Sequence, residues 1–270
     1  MLKDITFGQY IETNSPIHKA DPRVKIVLLI LAVVFIFISG NMWALLLSLA
    51  FVLVVALVSK VPIKMYLKNL KAILPIVILT SLINMFYGGE GGNELFTVWK
   101  LTVTYEGLYR AVFMALRIVL LIIISSSLTY TTTPNDLTDA IESLLSPLKF
   151  LGLKNAVHTL ALMMTIALRF IPTLVEEAQK IMNAQKARCA DLESGSIIER
   201  IKALIPILIP LLNSSIRRAY ELAEAMECRC YNGGEGKTRM KQLKVTIVDF
   251  WVLFATAIFC AGVILFNIFF

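Results

Sequence analysis

A chain of 270 residues that is 57% hydrophobic, with a mean hydropathy of +0.75 and only 17% charged residues, carries more apolar side chain than a water-soluble core of that size can enclose. Its formal charge of +7 does not point to nucleic acid, because the cations flank apolar runs instead of gathering on one polar face. The expected surroundings are a lipid bilayer, and the expected localisation is the cell membrane, crossed several times.

Five apolar runs approach or exceed the roughly 20 residues needed to cross a bilayer as helix. They are Val24 to Ser39, Trp43 to Ser59, Ile73 to Tyr87, Leu108 to Leu128 and Val245 to Phe269. The third is short, as a re-entrant segment is. Lipid offers no water to unpaired amides, so the spans must be helical and the expected fold class is all-α. The first run begins after Pro22, leads directly into another and lacks a small-residue cleavage site, so it is expected to be retained.

Orientation follows from the cations. Lys3, Lys19, Arg23 and Lys25 precede or open the first run; Lys60, Lys64, Lys68 and Lys71 follow the second; Lys237, Arg239, Lys241 and Lys244 precede the last. Alternating spans put all three clusters on one side, which the positive-inside rule makes the cytoplasm. The N-terminus is then cytoplasmic. Gly88 to Glu106, with Glu90, Glu94 and Glu106 against Lys100, suits the outside. The expected organisation is an N-terminal membrane domain over residues 1–131, a cytoplasmic or interfacial region over 132–244 and a C-terminal transmembrane helix over 245–270.

The middle region is too polar throughout for lipid, yet strongly patterned. From Met164, positions Ala167, Ile171, Leu174, Ala178, Ile181, Gln185 and Arg188 follow at steps of three and four. From Ile209, positions Leu212, Ile216, Ala219, Ala223, Met226 and Cys230 do the same. Two long amphipathic helices are predicted. Ala178, Ile181, Ala219 and Ala223 are the expected packing positions, because small residues let two helix backbones approach. Pro172, Pro206 and Pro210 are expected to kink or start these helices. The opposite faces, with Glu176, Glu177, Lys180 and Lys186 on the first and Arg217, Arg218, Glu221, Glu224 and Glu227 on the second, are expected to be mostly solvated.

The two helices also resemble each other. At a shift of 41 residues Ala178 matches Ala219, Ile181 matches Leu222, Ala184 matches Ala225, Arg188 matches Arg229 and Cys189 matches Cys230. Arginine at a helix C-terminus is favoured by the macrodipole alone. Two matched tips suggest more: a guanidinium on each helix end fits a groove of a soluble partner, and two similar plugs suggest two similar sockets, as an ATPase dimer offers.

The tips Ala187-Arg188-Cys189 and Cys228-Arg229-Cys230 resemble the paired Ala-Arg-Gly motifs of the T component, the transmembrane scaffold of energy-coupling factor (ECF) transporters. The likeness covers nearly the whole chain: Gly8-Gln9-Tyr10 with Ser15 to Lys25, Thr132-Thr133-Pro134-Asn135-Asp136-Leu137, Leu144 to Leu148, Leu168-Arg169-Phe170-Ile171-Pro172, and Ala225-Met226-Glu227 through Gly233-Gly234. The resemblance implies a non-catalytic subunit whose two coupling helices engage two ABC ATPases, with Arg188 and Arg229 as the contacting arginines. It also implies a small membrane S component that carries a vitamin or metal ion. ATP and Mg would be bound by the partner ATPases, so the chain itself needs no cofactor. Cysteine stands at Cys189, Cys228 and Cys230 where the family has glycine or alanine. Cysteine takes the left-handed turn after a helix less readily than glycine, which leaves the turn geometry open.

Other motifs carry less. Gly236-Lys237-Thr238 lacks the glycine of a P-loop, Tyr231 standing in its place, so no nucleotide site is expected here. Cys189, Cys228 and Cys230 match no common zinc spacing and have no histidine nearby, so no metal is expected. Arg110 is expected to snorkel, and Arg117 to pair with a carbonyl or carboxylate between helices, the spans being read as free of acidic relays. His18 and His158 read as local hydrogen-bonding residues. The rival readings are an ordinary ABC permease with its own substrate, a channel, and a membrane-embedded enzyme whose one modest acid pair is Asp136 with Glu142.

Overall fold

The computed structural model describes residues 10–87, 94–98, 101–146, 154–190, 196–233 and 245–269. Within them the helices are α1 (Pro16–Lys19), α2 (Pro22–Ile38), α3 (Met42–Val58), α4 (Ile63–Tyr87), α5 (Tyr105–Thr131), α6 (Pro134–Leu144), α7 (Lys154–Ala187), α8 (Ile197–Glu227) and α9 (Ile247–Phe269). A short antiparallel pair, β1 (Glu94–Val98) and β2 (Leu101–Thr104), leads into α5, with Phe96 opposite Val103 and Val98 opposite Leu101. The class is all-α, as expected, with this hairpin as an addition. Gly8, Gln9, Pro147, Leu148, Gly234 and the segment 236–238 lie outside the described residues.

The chain divides into two units, one over residues 10–137 and 245–269, the other over 138–233, with the boundary inside α6. In the first, the helix starts are set by side-chain caps. Asp21 accepts from the Arg23 amide at 2.9 Å, with Pro22 in the first turn of α2. Thr133 accepts from the Asp136 amide at 3.1 Å and donates to its carboxylate at 2.8 Å, opening α6.

The packing is that of a protein in lipid. Small and medium side chains face inward: Ala32, Ile36, Ala44, Leu45, Val52, Leu120, Ile124 and Val263 form the core with Phe113 and Phe259. Large apolar ones face outward, Phe37 at 59% exposure and Leu57 at 68% among them. Such a surface would be unstable in water and is the expected one against acyl chains. Phe51 stacks on Phe259 with ring centroids 4.3 Å apart.

Three sequence expectations need correction. The third run is no short re-entrant segment: α4 has 25 residues and passes through Pro75, its added first turns carrying Lys64, Lys68 and Lys71. Those lysines lowered the hydropathy and hid the helix start. The middle region is also not too polar for lipid throughout: Asn155 to Ile171, apolar enough in sequence to sit partly in the membrane, belongs to a longer apolar helix. Ala156–Ala187 joins Ile63–Phe86, Tyr105–Thr131 and Ile247–Phe269 as helices long and apolar enough to cross a membrane, since the charges of α7 concentrate in its C-terminal half. Finally, the spans are not free of acid. Asp249, 2% exposed, lies in the first turn of α9 and accepts from the Asp21 amide at 2.7 Å and the Thr246 amide at 2.6 Å.

Around that carboxylate a buried polar cluster joins distant parts of the chain. The Lys25 ammonium donates to the carbonyls of Thr131 at 3.0 Å and His18 at 3.3 Å. His18 is the local hydrogen-bonding residue expected, its Nε2 donating to the Ile11 carbonyl at 2.9 Å and its Nδ1 2.6 Å from Ser15 Oγ. Burial, opposed by the hydrogen bond to Ile11 and reinforced by the nearby Lys25, holds its imidazole below the usual histidine range. Arg117 pairs as expected, donating to the Ser39 carbonyl and lying 4.7 Å over the Phe113 ring.

Gly107 is required by a close approach. A Cβ there would lie 2.5 Å from the Met85 carbonyl oxygen, a backbone atom that cannot swing aside. Gly107→Ala is therefore expected to destabilise the α4–α5 contact by about 2 kcal/mol, read as a lower thermal unfolding midpoint in detergent.

Candidate functional site

The tips of α7 and α8 close in the same way. Beyond α7 the Cys189 amide donates to the Lys186 carbonyl at 3.0 Å, and the Ala190 amide reaches back to Gln185 at 3.0 Å. Beyond α8 the Cys230 amide donates to Glu227 at 2.8 Å and the Tyr231 amide reaches back to Met226 at 3.0 Å. Each is a Schellman closure, which needs one residue in the left-handed region. That residue is Cys189 at φ 64° in one tip and Cys230 at φ 55° in the other. Cysteine thus adopts the turn that the family's glycine would make, and the geometry left open by sequence is the same in both copies.

The closure presents Arg188 and Arg229 as the last residues before the left-handed turn. Ala187, Arg188, Cys189, Cys228, Arg229 and Cys230 are all exposed. Among the described residues neither guanidinium has a side-chain hydrogen bond or ion pair. A cation held at the negative end of a long helix, with no side-chain partner among the described residues, suits an acidic or carbonyl-rich groove elsewhere. The three tip thiols are free. Among the described residues no group of three or more His, Cys, Asp or Glu is placed to hold a metal ion.

A left-handed conformation costs a residue with a Cβ roughly 1–2 kcal/mol, and glycine avoids it. Cys189→Gly and Cys230→Gly are each expected to strengthen their closure by about 1 kcal/mol. Slower hydrogen exchange at the amides of Ala190 and Tyr231 measures this.

The helix entries show what sequence reading passed over. Helix α8 begins at Ile197, twelve residues before the first position of its apolar seam, Ile209, with the Glu199 carboxylate accepting from the Ser196 amide at 2.8 Å. Ser-x-x-Glu is a legible capping signature. In α7, His158 lies 3.3 Å from Glu142 of α6. Pro172, Pro206 and Pro210 all lie inside continuous helices.

Among the expected packing positions, Ala178 and Ile181 are half-buried while Ala219 and Ala223 are exposed. The polar contacts that join the helices come from the face expected to be mostly solvated. Arg218 donates to Glu177 Oε2 at 2.8 Å and Ser214 donates to the other oxygen, Oε1. The apolar seam of α8 instead leaves Ile209 63%, Leu212 64% and Ile216 47% exposed.

A chain with four described helices long and apolar enough to cross a membrane is in class a multi-pass membrane protein. Residues 13–240 match a family model described as cobalt transport protein. An energy-coupling factor transporter transmembrane protein EcfT of Ruminiclostridium cellulolyticum is 52% identical over 265 residues, covering 98% of both chains. Proteins of the same name from Clostridium kluyveri and Bacillus subtilis are 53% and 42% identical, over 93% and 97% of this chain and 92% and 97% of theirs. The chain belongs to the family of energy-coupling factor transporter transmembrane proteins. That membership makes the chain a transporter membrane component of this family, the reading favoured over an ordinary permease.

Proposed function

We propose that this subunit is the coupling scaffold of an ATP-driven importer, in which Arg188 and Arg229 each dock into one of two partner ABC ATPases. The observation that carries the reading is the duplicated tip: two exposed guanidinium groups, each set by the same Schellman closure. Ala187, Cys189, Cys228 and Cys230 frame the arginines and complete the docking surface. ATP and Mg bind to the ATPases, and this chain performs no chemistry. Its membrane helices hold a small S component that binds the cargo, a vitamin or other micronutrient, so that hydrolysis moves the S component and releases the cargo inward. The N-terminus lies in the cytoplasm, a placement supported by the cation clusters at Lys19 to Lys25 and Lys60 to Lys71.

Affinity purification of the tagged chain from its native membrane, followed by mass spectrometry of what accompanies it, tests the assembly. Two ATPase copies or homologues and at least one small membrane protein are expected. A chain that purifies without an ATPase under mild detergent, and transports unaided in proteoliposomes, overturns the proposal.

A further inference from the structure

Glu177 and Arg218 occupy the same position in the two copies of the repeat, 41 residues apart, and they bond to each other at 2.8 Å. When two copies of a helix cross, a residue meets its own counterpart only at the local two-fold axis; elsewhere it meets the counterpart of some other position. The contact therefore marks the crossing point of α7 and α8. We propose that this ion pair is the pivot that sets the angle between the coupling helices, and through it the spacing of the two arginine tips. Glu177 and Arg218 are positioning residues in this proposal, which rests on reading the tips as ATPase plugs.

Chemistry at the pivot fits the position. Two identical charged residues on an axis would repel, so a crossing stabilised by charge requires the copies to differ there, and they differ as carboxylate and guanidinium. Both carboxylate oxygens are occupied, one by Arg218 and the other by Ser214, one turn earlier on the same face of α8. The pair is also partly shielded from solvent, with side-chain exposures of 20% for Glu177 and 40% for Arg218, whereas the neighbouring Arg217–Glu221 pair of α8 stands at 82% and 61%. Water and salt screen the second far more than the first. The alanine seam does not supply an alternative pin, since Ala219 and Ala223 are exposed.

Each tip arginine lies eleven residues past its pivot residue, about 16 Å of helix. At that radius a rotation of about 10° about the crossing moves a tip by about 3 Å, enough to take a guanidinium out of hydrogen-bond reach.

The test measures the distance between spin labels on Cys189 and Cys230 in the full-length chain in lipid nanodiscs, with Cys228 and Cys260 replaced, and without any ATPase. Uptake is measured separately in the native-cysteine transporter. Glu177→Ala and Arg218→Ala are each expected to broaden the distance distribution roughly twofold and lower uptake roughly fivefold, in line with loss of one partly buried charged pair. The exchange Glu177→Arg with Arg218→Glu is expected to restore a narrow distribution, which a general folding defect would not allow. An unchanged distribution in both alanine variants overturns the pivot. A broadened distribution with undiminished ATPase association and uptake upholds the pivot and overturns the plug reading on which its role depends.

Discussion

Alanine at both Arg188 and Arg229 is expected to abolish ATP-driven uptake while the chain still inserts and folds in the membrane. Each guanidinium is exposed, terminates a helix and has no side-chain partner among the described residues, so its removal leaves no unpaired group behind in this chain. The loss is expected to fall on the proposed ATPase interface. A charge-assisted hydrogen bond contributes about 1.5–3 kcal/mol, so each single variant is expected to weaken ATPase association by roughly 10- to 100-fold. Losing both removes the two attachments together, and with them the gain in effective concentration that one attachment lends the other. Lysine keeps the charge but lacks the planar fork, so Arg188→Lys and Arg229→Lys are expected to retain only part of the activity. Co-purification with the ATPases and uptake in proteoliposomes measure both effects. Full uptake in the double alanine variant would remove the tips from the mechanism.

The largest stability effect is expected at Asp249. Its carboxylate is 2% exposed and accepts two backbone amides, Asp21 from the N-terminal segment and Thr246 at the start of α9. Asp249→Ala leaves the buried Asp21 amide without its acceptor, removes the cap on the part-buried Thr246 amide at the start of α9, and takes negative charge from the neighbourhood of Lys25. The expected cost is about 3 kcal/mol or more. Asp249→Asn is the sharper probe. Its amide keeps one acceptor oxygen and turns an NH2 group toward the second backbone donor, so it is expected to recover less than half of the loss. Thermal unfolding of the purified chain in one detergent ranks the three proteins. Equal midpoints for wild type and Asp249→Ala would exclude the carboxylate as a tie between α2 and α9.

Much of the tip site was legible before the structure, and for a local reason. Steps of three and four, a 41-residue shift and a repeated Arg-Cys ending are properties of short windows, and short windows determine helices and their ends. The start of α8 was legible too, in Ser196 and Glu199, but its apolar seam drew attention to a later point. The opening turns of α4 were obscured because hydropathy treats Lys64, Lys68 and Lys71 as a break, although such residues readily begin a membrane helix at the lipid interface. Asp249 was passed over for a related reason. A single carboxylate among apolar residues reads as part of a span, and nothing nearby reveals that its partner is the Asp21 amide, 228 residues away.

By itself, the sequence determined that this protein lives in a membrane, that it is helical, and that it carries two like tips ending in Arg188 and Arg229. Hydropathy, periodicity and repetition suffice for these, since each depends on neighbours along the chain. Only the tertiary structure decided that Cys189 and Cys230 take the left-handed turn, that Glu177 meets Arg218, and that Asp249 ties the start of α2 to α9. Those depend on which groups meet after folding, and a charged residue's partner is chosen by three-dimensional proximity and burial, neither of which is written in the spacing of the residues around it.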